Sequence, residues 1–189
     1  MKTYLISGAA ALALTACSGA NEPPAETLEA ETPPAVEDDL DAFEGASYDR
    51  ITQRITDFKA VYDADPDLFG TFVYSAFSNQ SGPLAEPDSV DTVLTFRNVH
   101  NWMGGDYTAK FFTDAYAALK PGGILGVVEH RLPSSAEQDP RASTGYVHED
   151  FVKALATAAG FEFVEGSEIN ANPADTADHP FGVWTLPPV

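Results

Sequence analysis

Residues 91–131 contain two short apolar runs on either side of a stretch with helical periodicity. The runs at 91–96 and 124–128 are nearly continuous, as is typical of strands buried on both faces of a sheet. Between them, apolar residues recur at helical spacing over 107–119, and a Pro-Gly-Gly sequence at 121–123 ends the helix and turns the chain. The order strand, helix, strand predicts two parallel strands joined by a right-handed crossover.

Other segments extend this alternation. The spacing of apolar residues and the positions of proline and glycine predict further helices over 47–64 and 148–159, and further strands over 71–77, 161–169 and 183–186. The sequence therefore predicts an α/β fold, in which a parallel sheet is flanked by helices.

Polar side chains follow both central strands at the point where each strand ends. Because ligands bind beyond the carboxyl ends of strands in an open parallel sheet, these residues are the candidates for chemistry. We expect His100, Glu129 and His130 to be general acid or base groups, and Arg97 and Arg131 to contact anions. The alternative is that Glu129 forms an ion pair with one arginine and only closes the end of the sheet.

Two aromatic residues near these strand ends have two interpretations each. Trp102 either caps the cleft or packs on the helix that follows it. Tyr146 lies in a polar loop before a helix, and it either reaches the cleft or anchors the loop. Two other histidines, His148 and His179, are expected at the surface, and Asn170 is expected in a turn.

The chain begins with features typical of an export signal. Lys2 gives a positive start, and Tyr4–Ala16 is an apolar run too short to span a bilayer permanently. The run ends Leu-Thr-Ala-Cys, which resembles the lipobox of bacterial lipoproteins and predicts a signal peptide over 1–17 with lipidation at Cys17. A plain secretory signal and a buried N-terminal helix are the alternatives. The lipoprotein interpretation predicts a periplasm-facing protein held by its lipid, with the outer membrane favoured over the inner.

Charge and composition limit the possible partners. Residues 18–46 are rich in proline and acidic residues, which predicts a disordered tether ahead of the domain at 47–189. The formal charge of −19 disfavours nucleic acid and anionic lipid as binding partners. The single cysteine excludes an internal disulfide, and no Cys/His spacing typical of a metal site is present.

Several segments in order resemble one enzyme family. They are Phe96-Arg97-Asn98-x-His100-x-Trp102, Lys120-Pro121-Gly122-Gly123, Glu129-His130-Arg131, Gly145-Tyr146-Val147, 167–173 and Trp184-Thr185-Leu186-Pro187-Pro188. This pattern resembles class I S-adenosylmethionine (SAM) dependent methyltransferases, and in particular a group of predicted exported bacterial methyltransferases. The resemblance implies a Rossmann-like sheet, in part, and SAM as the cofactor.

The resemblance also implies residue roles. It places Phe96, Arg97 and Asn98 beside the methionine part of SAM, and Trp102, Arg131 and Tyr146 near a methyl acceptor that the sequence does not identify. Class I enzymes carry a glycine-rich cofactor loop after their first strand, and no Gly-x-Gly precedes residue 71 here. Two expectations follow: a methyltransferase whose domain is incomplete, or a non-catalytic, membrane-anchored lipoprotein with a methyltransferase-like binding or structural domain, which could form a homo-oligomer.

Overall fold

A computed structural model describes residues 2–7 and 46–185 of the chain. In chain order, the elements are β1 Lys2–Ser7, α1 Ala46–Tyr62, α2 Pro66–Phe69, β2 Val90–Phe96, α3 Val99–Gly104, α4 Thr108–Ala118, β3 Leu119–Val128, α5 Glu149–Ala159, β4 Phe161–Ser167 and a final 3-10 helix Gly182–Thr185. They form two units. The first is made of β1 and the residues from 83 onward, and the second of residues 14–82.

The described part of the second unit, residues 46–82, is built on aromatic packing. Phe58 on α1 contacts the rings of Tyr62, Phe72 and Tyr74, with centroids 4.2 to 6.0 Å apart. The helix predicted over 47–64 is confirmed as α1. The next helix, α2, starts at Pro66, and the Asp65 side chain before it accepts a hydrogen bond from the Leu68 N–H.

The strand predicted over 71–77 is wrong. These residues form no regular secondary structure, and the described part of this unit contains no strand that could pair with them. Their aromatic side chains pack on α1 instead. High β-propensity measures how well a side chain packs on a sheet, so it does not make a strand without a partner.

The first unit is a small parallel sheet with helices. Its strand order is β2-β3-β1-β4, and every pairing is parallel. The two central strands of the prediction are neighbours, with Phe96 opposite Val128 at their carboxyl ends. The mixed α/β class predicted from the sequence is therefore confirmed. The strand at 161–167 is not adjacent to β3, since β1 lies between them.

The position of β1 adds a strand that the sequence did not predict. Lys2–Ser7 falls inside the predicted signal peptide, and here it is paired with β3 on one side and β4 on the other. The remainder of that signal, including Cys17, and the tether at 18–45 lie outside the described residues. Among the described residues, no helix is long and apolar enough to cross a membrane.

All of this unit's long helices cover one face of the sheet. The two crossovers advance in the same direction across the sheet, so right-handed connections put α4 and α5 on the same side, where they contact each other. Phe112 on α4 and Leu125 on β3 are completely buried there. On the other face Leu94 is 53% exposed and Phe96 46% exposed, so the prediction that these strands are buried on both faces is wrong.

The turns around the sheet match the sequence with one exception. Gly160 ends α5 in the left-handed conformation at φ 107°, as expected of a helix C-cap. The Pro-Gly-Gly sequence, by contrast, lies inside β3, where Gly122 at φ 85° accompanies an irregularity in the pairing with β2. The strand predicted over 183–186 is a 3-10 helix in its described residues.

Candidate functional site

The carboxyl ends of β2 and β3 bring the two predicted polar groups together. The N–H of Arg97, just after β2, donates to the carbonyl of Val128 at 2.7 Å. Beyond this bond, α3 follows β2 and the segment Glu129-His130-Arg131 follows β3. The expected convergence at one sheet edge is confirmed by the contacts that follow.

The centre of the site is a buried pair formed by His100 and Glu129. Nδ1 of His100 lies 2.9 Å from Oε1 of Glu129, and each side chain is only 6% exposed. The same carboxylate accepts the N–H of His100 at 3.3 Å and the N–H of His130 at 2.9 Å. Glu129 therefore accepts three hydrogen bonds, which offset the cost of burying its charge.

The local sequence explains why this pair forms. His100 is the second residue of α3, and the first N–H groups of a helix have no partner within the helix. Glu129 follows β3 directly, one strand away. Its carboxylate therefore satisfies a helix N-terminal amide and an imidazole together.

His130 lies beside this pair. Its ring centroid is 6.1 Å from that of His100 and 6.1 Å from that of Tyr146. Burial lowers the pKa of His130 below its ordinary value, the Glu129 carboxylate opposes this shift, and the neighbouring His100 and Arg97 add to the lowering. His130 is therefore held toward its neutral form.

Tyr146 reaches the site because its loop pairs with the segment after β3. The N–H of Val147 donates to the His130 carbonyl at 2.8 Å. Tyr146 is 2% exposed, and its hydroxyl donates to Oδ1 of Asp175 at 2.9 Å. Burial, with the Asp175 hydrogen bond, raises the pKa of Tyr146 to about 12, so the hydroxyl stays protonated at neutral pH.

Asp175 is a site residue that sequence reasoning missed. Burial raises the pKa of Asp175, but hydrogen bonds from the Ala177 N–H and the Tyr146 hydroxyl, together with His179 and His130, outweigh burial and hold the pKa below its usual value. His179 lies 3.4 Å from the same carboxylate and is 27% exposed. No local pattern marks Asp175, because it lies 29 residues from Tyr146 in a polar loop.

Arg131 has a structural set of partners. Its Nη1 lies 2.7 Å from Glu168, and its Nε lies 3.1 Å from Glu149, which also contacts Lys153 at 2.6 Å. Arg131 thus joins the ends of β3 and β4 to the start of α5. The alternative in which Glu129 pairs with an arginine is wrong, since the side chain in contact with its carboxylate is His100.

The three residues that the resemblance assigns to the cofactor are accessible. Phe96, Arg97 and Asn98 are all exposed at the end of β2. Arg97 has φ 57°, a left-handed conformation that is uncommon for a residue with a side chain. Such strain is concentrated at functional sites. The exposed guanidinium could receive an anionic ligand.

Two tryptophans are placed differently. Trp102 stacks on Phe111 of α4 with centroids 4.1 Å apart, as in the packing interpretation. Trp184 in the final 3-10 helix lies edge-on to His100 at 5.7 Å and is 56% exposed. No local pattern predicts Trp184 at the site, because a hydrogen bond between distant segments, from the Val183 N–H to the Thr144 carbonyl at 2.9 Å, holds its helix there.

The remaining expectations concern single residues. Asn170 lies in a turn, as predicted. His148 and His179 are both partly exposed, and Nε2 of His148 is a buried side-chain atom without a hydrogen-bond partner. Within the described residues, no cluster of His, Cys, Asp or Glu has the arrangement of a metal site.

Comparison with known proteins gives no relative. No family model, no curated protein and no solved structure matches this chain.

Proposed function

We propose that this protein is a SAM-dependent methyltransferase in which His100 is the proton acceptor. The observation that carries the proposal is the buried His100–Glu129 pair at the carboxyl edge of two parallel strands. An imidazole held by a buried carboxylate is a common arrangement for a general base.

The geometry gives the two residues different roles. A carboxylate only accepts hydrogen bonds, so the contact to Nδ1 puts the imidazole proton on that nitrogen. Nε2 then carries the lone pair that accepts a proton from the methyl acceptor. Glu129 is the positioning residue, since its carboxylate is already occupied by three donors.

The described residues offer contacts to the methionine part of the proposed cofactor. SAM supplies an electrophilic methyl group when it is bound. The exposed Arg97 suits the carboxylate of its methionine moiety, and Phe96 and Asn98 offer an apolar and an amide contact beside it. The described residues contain no Gly-x-Gly sequence, so the adenosine part has no assigned partner.

The alternative function is a non-catalytic binding or structural module on a lipid anchor. Its support is that two of the three hydrogen bonds to Glu129 come from His100 and join α3 to the end of β3, while the third comes from the adjacent His130 N–H, as for a purely structural residue. Under this alternative the site is stable but binds no sulfonium cofactor.

Titration calorimetry with S-adenosylhomocysteine separates the two functions. The full chain with Cys17→Ser stays unlipidated, so it is the parent protein for this experiment. We expect saturable binding of about −8 kcal/mol, which corresponds to a micromolar Kd. Arg97→Ala should weaken binding at least tenfold, whereas Lys120→Ala, which removes an exposed cation near the amino end of β3, should not. No heat from a cooperatively folded parent would favour the non-catalytic module.

A second test concerns the acceptor proton. In a methyl-transfer assay, His100→Gln should lower turnover at least a hundredfold while leaving S-adenosylhomocysteine binding within threefold of the parent. Equal loss of binding and turnover would show that His100 only holds the fold together.

We also propose that the protein is exported and lipidated at Cys17. The support is the lipobox-like sequence and the acidic segment that follows it. Mass spectrometry of protein extracted from cell membranes should show a lipid-modified Cys17 at the new N-terminus. Soluble protein with an intact Met1 would contradict this.

A further inference from the structure

The strand Lys2–Ser7 occupies an interior position of the sheet. Thr3 to Ser7 lie opposite Ile124 to Val128 on β3, and the other edge of the same strand pairs with Lys2 opposite Phe161 through Ser7 opposite Ser167 on β4. Both pairings are parallel. Among the described residues, β4 has no other strand partner.

Removal of this strand would leave a defined gap. Neighbouring strands are about 4.8 Å apart, so β3 and β4 are separated by about 9.6 Å, which is the width of one missing strand. The helix α5 connects β3 to β4 and packs on both α4 and β4. Because α5 packs on β4 as well as on α4, β4 has a support other than β1, and the gap is bounded on both edges.

The backbone groups on both edges of the gap need a partner. The N–H and C=O groups of β3 and β4 that face it are paired with β1, and each would become a free edge group without it. The Tyr-Leu-Ile core of β1 is a continuous apolar run, as is typical of a strand inside a parallel sheet.

We propose that the space between β3 and β4 is a strand-acceptor site whose occupant is the chain's own amino-terminal segment, Lys2–Ser7. Cleavage before Cys17 vacates the site, and the vacated site binds the same segment when it is supplied as a separate peptide. Its ligand class is an extended apolar peptide that runs parallel to both strands. This inference is independent of methyl transfer, and only its cleavage step rests on the proposed processing at Cys17.

Disulfide trapping tests the occupant and its register. In the full chain with Cys17→Ser, the pair Thr3→Cys and Ile124→Cys puts two thiols at directly opposed positions, within the Cα separation that a disulfide accepts. The pair Leu5→Cys and Ile124→Cys is the matched control, since two residues of offset put its Cα atoms about 8 Å apart. We expect the opposed pair to oxidise at least tenfold faster. Equal rates for the two pairs would overturn the proposal.

Peptide binding tests the site itself. In the same background, Leu5→Pro removes an N–H from the interior of β1 and should expel the segment from the sheet. A labelled peptide of residues 1–8 should then bind Leu5→Pro saturably, and at least tenfold more weakly to the parent, whose site is filled. The same peptide with proline at position 5 is the negative control.

Folding is read out in the same samples. If Leu5→Pro lowers the folded fraction seen by circular dichroism, the peptide of residues 1–8 should restore it and the proline peptide should not. Equal binding to parent and Leu5→Pro, or a Leu5→Pro chain that the peptide neither binds nor restores, would contradict a strand-acceptor site.

Discussion

Replacing Glu129 by glutamine should destabilise the fold and lower the pKa of His130 further. The amide can keep its oxygen at the position of Oε1, where it still accepts from His100 Nδ1 and the His130 N–H. The amide nitrogen then faces the His100 N–H, which leaves a buried donor without an acceptor. An unsatisfied buried donor costs about 1–3 kcal/mol, and the two remaining bonds lose their charge assistance. We therefore expect Glu129→Gln to lower the free energy of unfolding by about 2–3 kcal/mol.

Urea unfolding at pH 7, followed by circular dichroism, measures this loss. The matched control is Glu168→Gln, which removes the charge of a carboxylate 66% exposed in a surface ion pair, and such pairs contribute below about 1 kcal/mol. Glu129→Gln should also lower the pKa of His130 further, because the Glu129 charge opposes that lowering in the parent. Equal stability of Glu129→Gln and Glu168→Gln would refute the assignment of Glu129 as the residue that joins α3 to β3.

Three other predictions follow from the same contacts. Since the pKa of His130 is lowered in the fold, the unfolded chain binds more protons below pH 6.5, and the free energy of unfolding falls as the pH decreases there. His130→Gln should therefore reduce the change in the urea midpoint between pH 7 and pH 5. An unchanged pH dependence of the midpoint would contradict this. Tyr146→Phe removes the hydrogen bond from the hydroxyl to Asp175 and should lower the free energy of unfolding by about 1–2 kcal/mol at pH 7, measured in urea. Because the pKa of Asp175 is lowered in the fold, the difference in stability between parent and variant should shrink below about pH 4, as the carboxylate becomes protonated. A difference that does not change with pH would point to packing alone. Gly145→Ala places a methyl group against the Val183 side chain at φ 79° and should cost about 1–3 kcal/mol and shift Trp184 fluorescence, whereas Gly82→Ala, with open space at its Cβ, should do neither.

The central part of the fold followed from local signals. Two apolar runs, a helix between them and polar residues at both strand ends were enough to predict neighbouring parallel strands with a shared edge. The contact between His100 and Glu129 follows from that topology, since each lies just past the end of its strand. Gly160 likewise marks the end of α5 because only glycine adopts its φ without strain.

The features that were missed depend on tertiary partners. The helix α3 has six residues, which is too short for a periodic pattern to show. The apolar run at the N-terminus fits a signal or a buried strand equally well by composition, and only the availability of β3 and β4 makes Lys2–Ser7 a strand. Trp184 reaches His100 through a loop pairing that has no local sequence signal.

The most direct measurement is calorimetric titration of S-adenosylhomocysteine into the folded full chain with Cys17→Ser, repeated with Arg97→Ala. A micromolar Kd in the parent and at least tenfold weaker binding in the variant would place a sulfonium cofactor at the edge where His100 and Glu129 meet. Absence of binding by a parent that unfolds cooperatively would contradict the methyltransferase proposal.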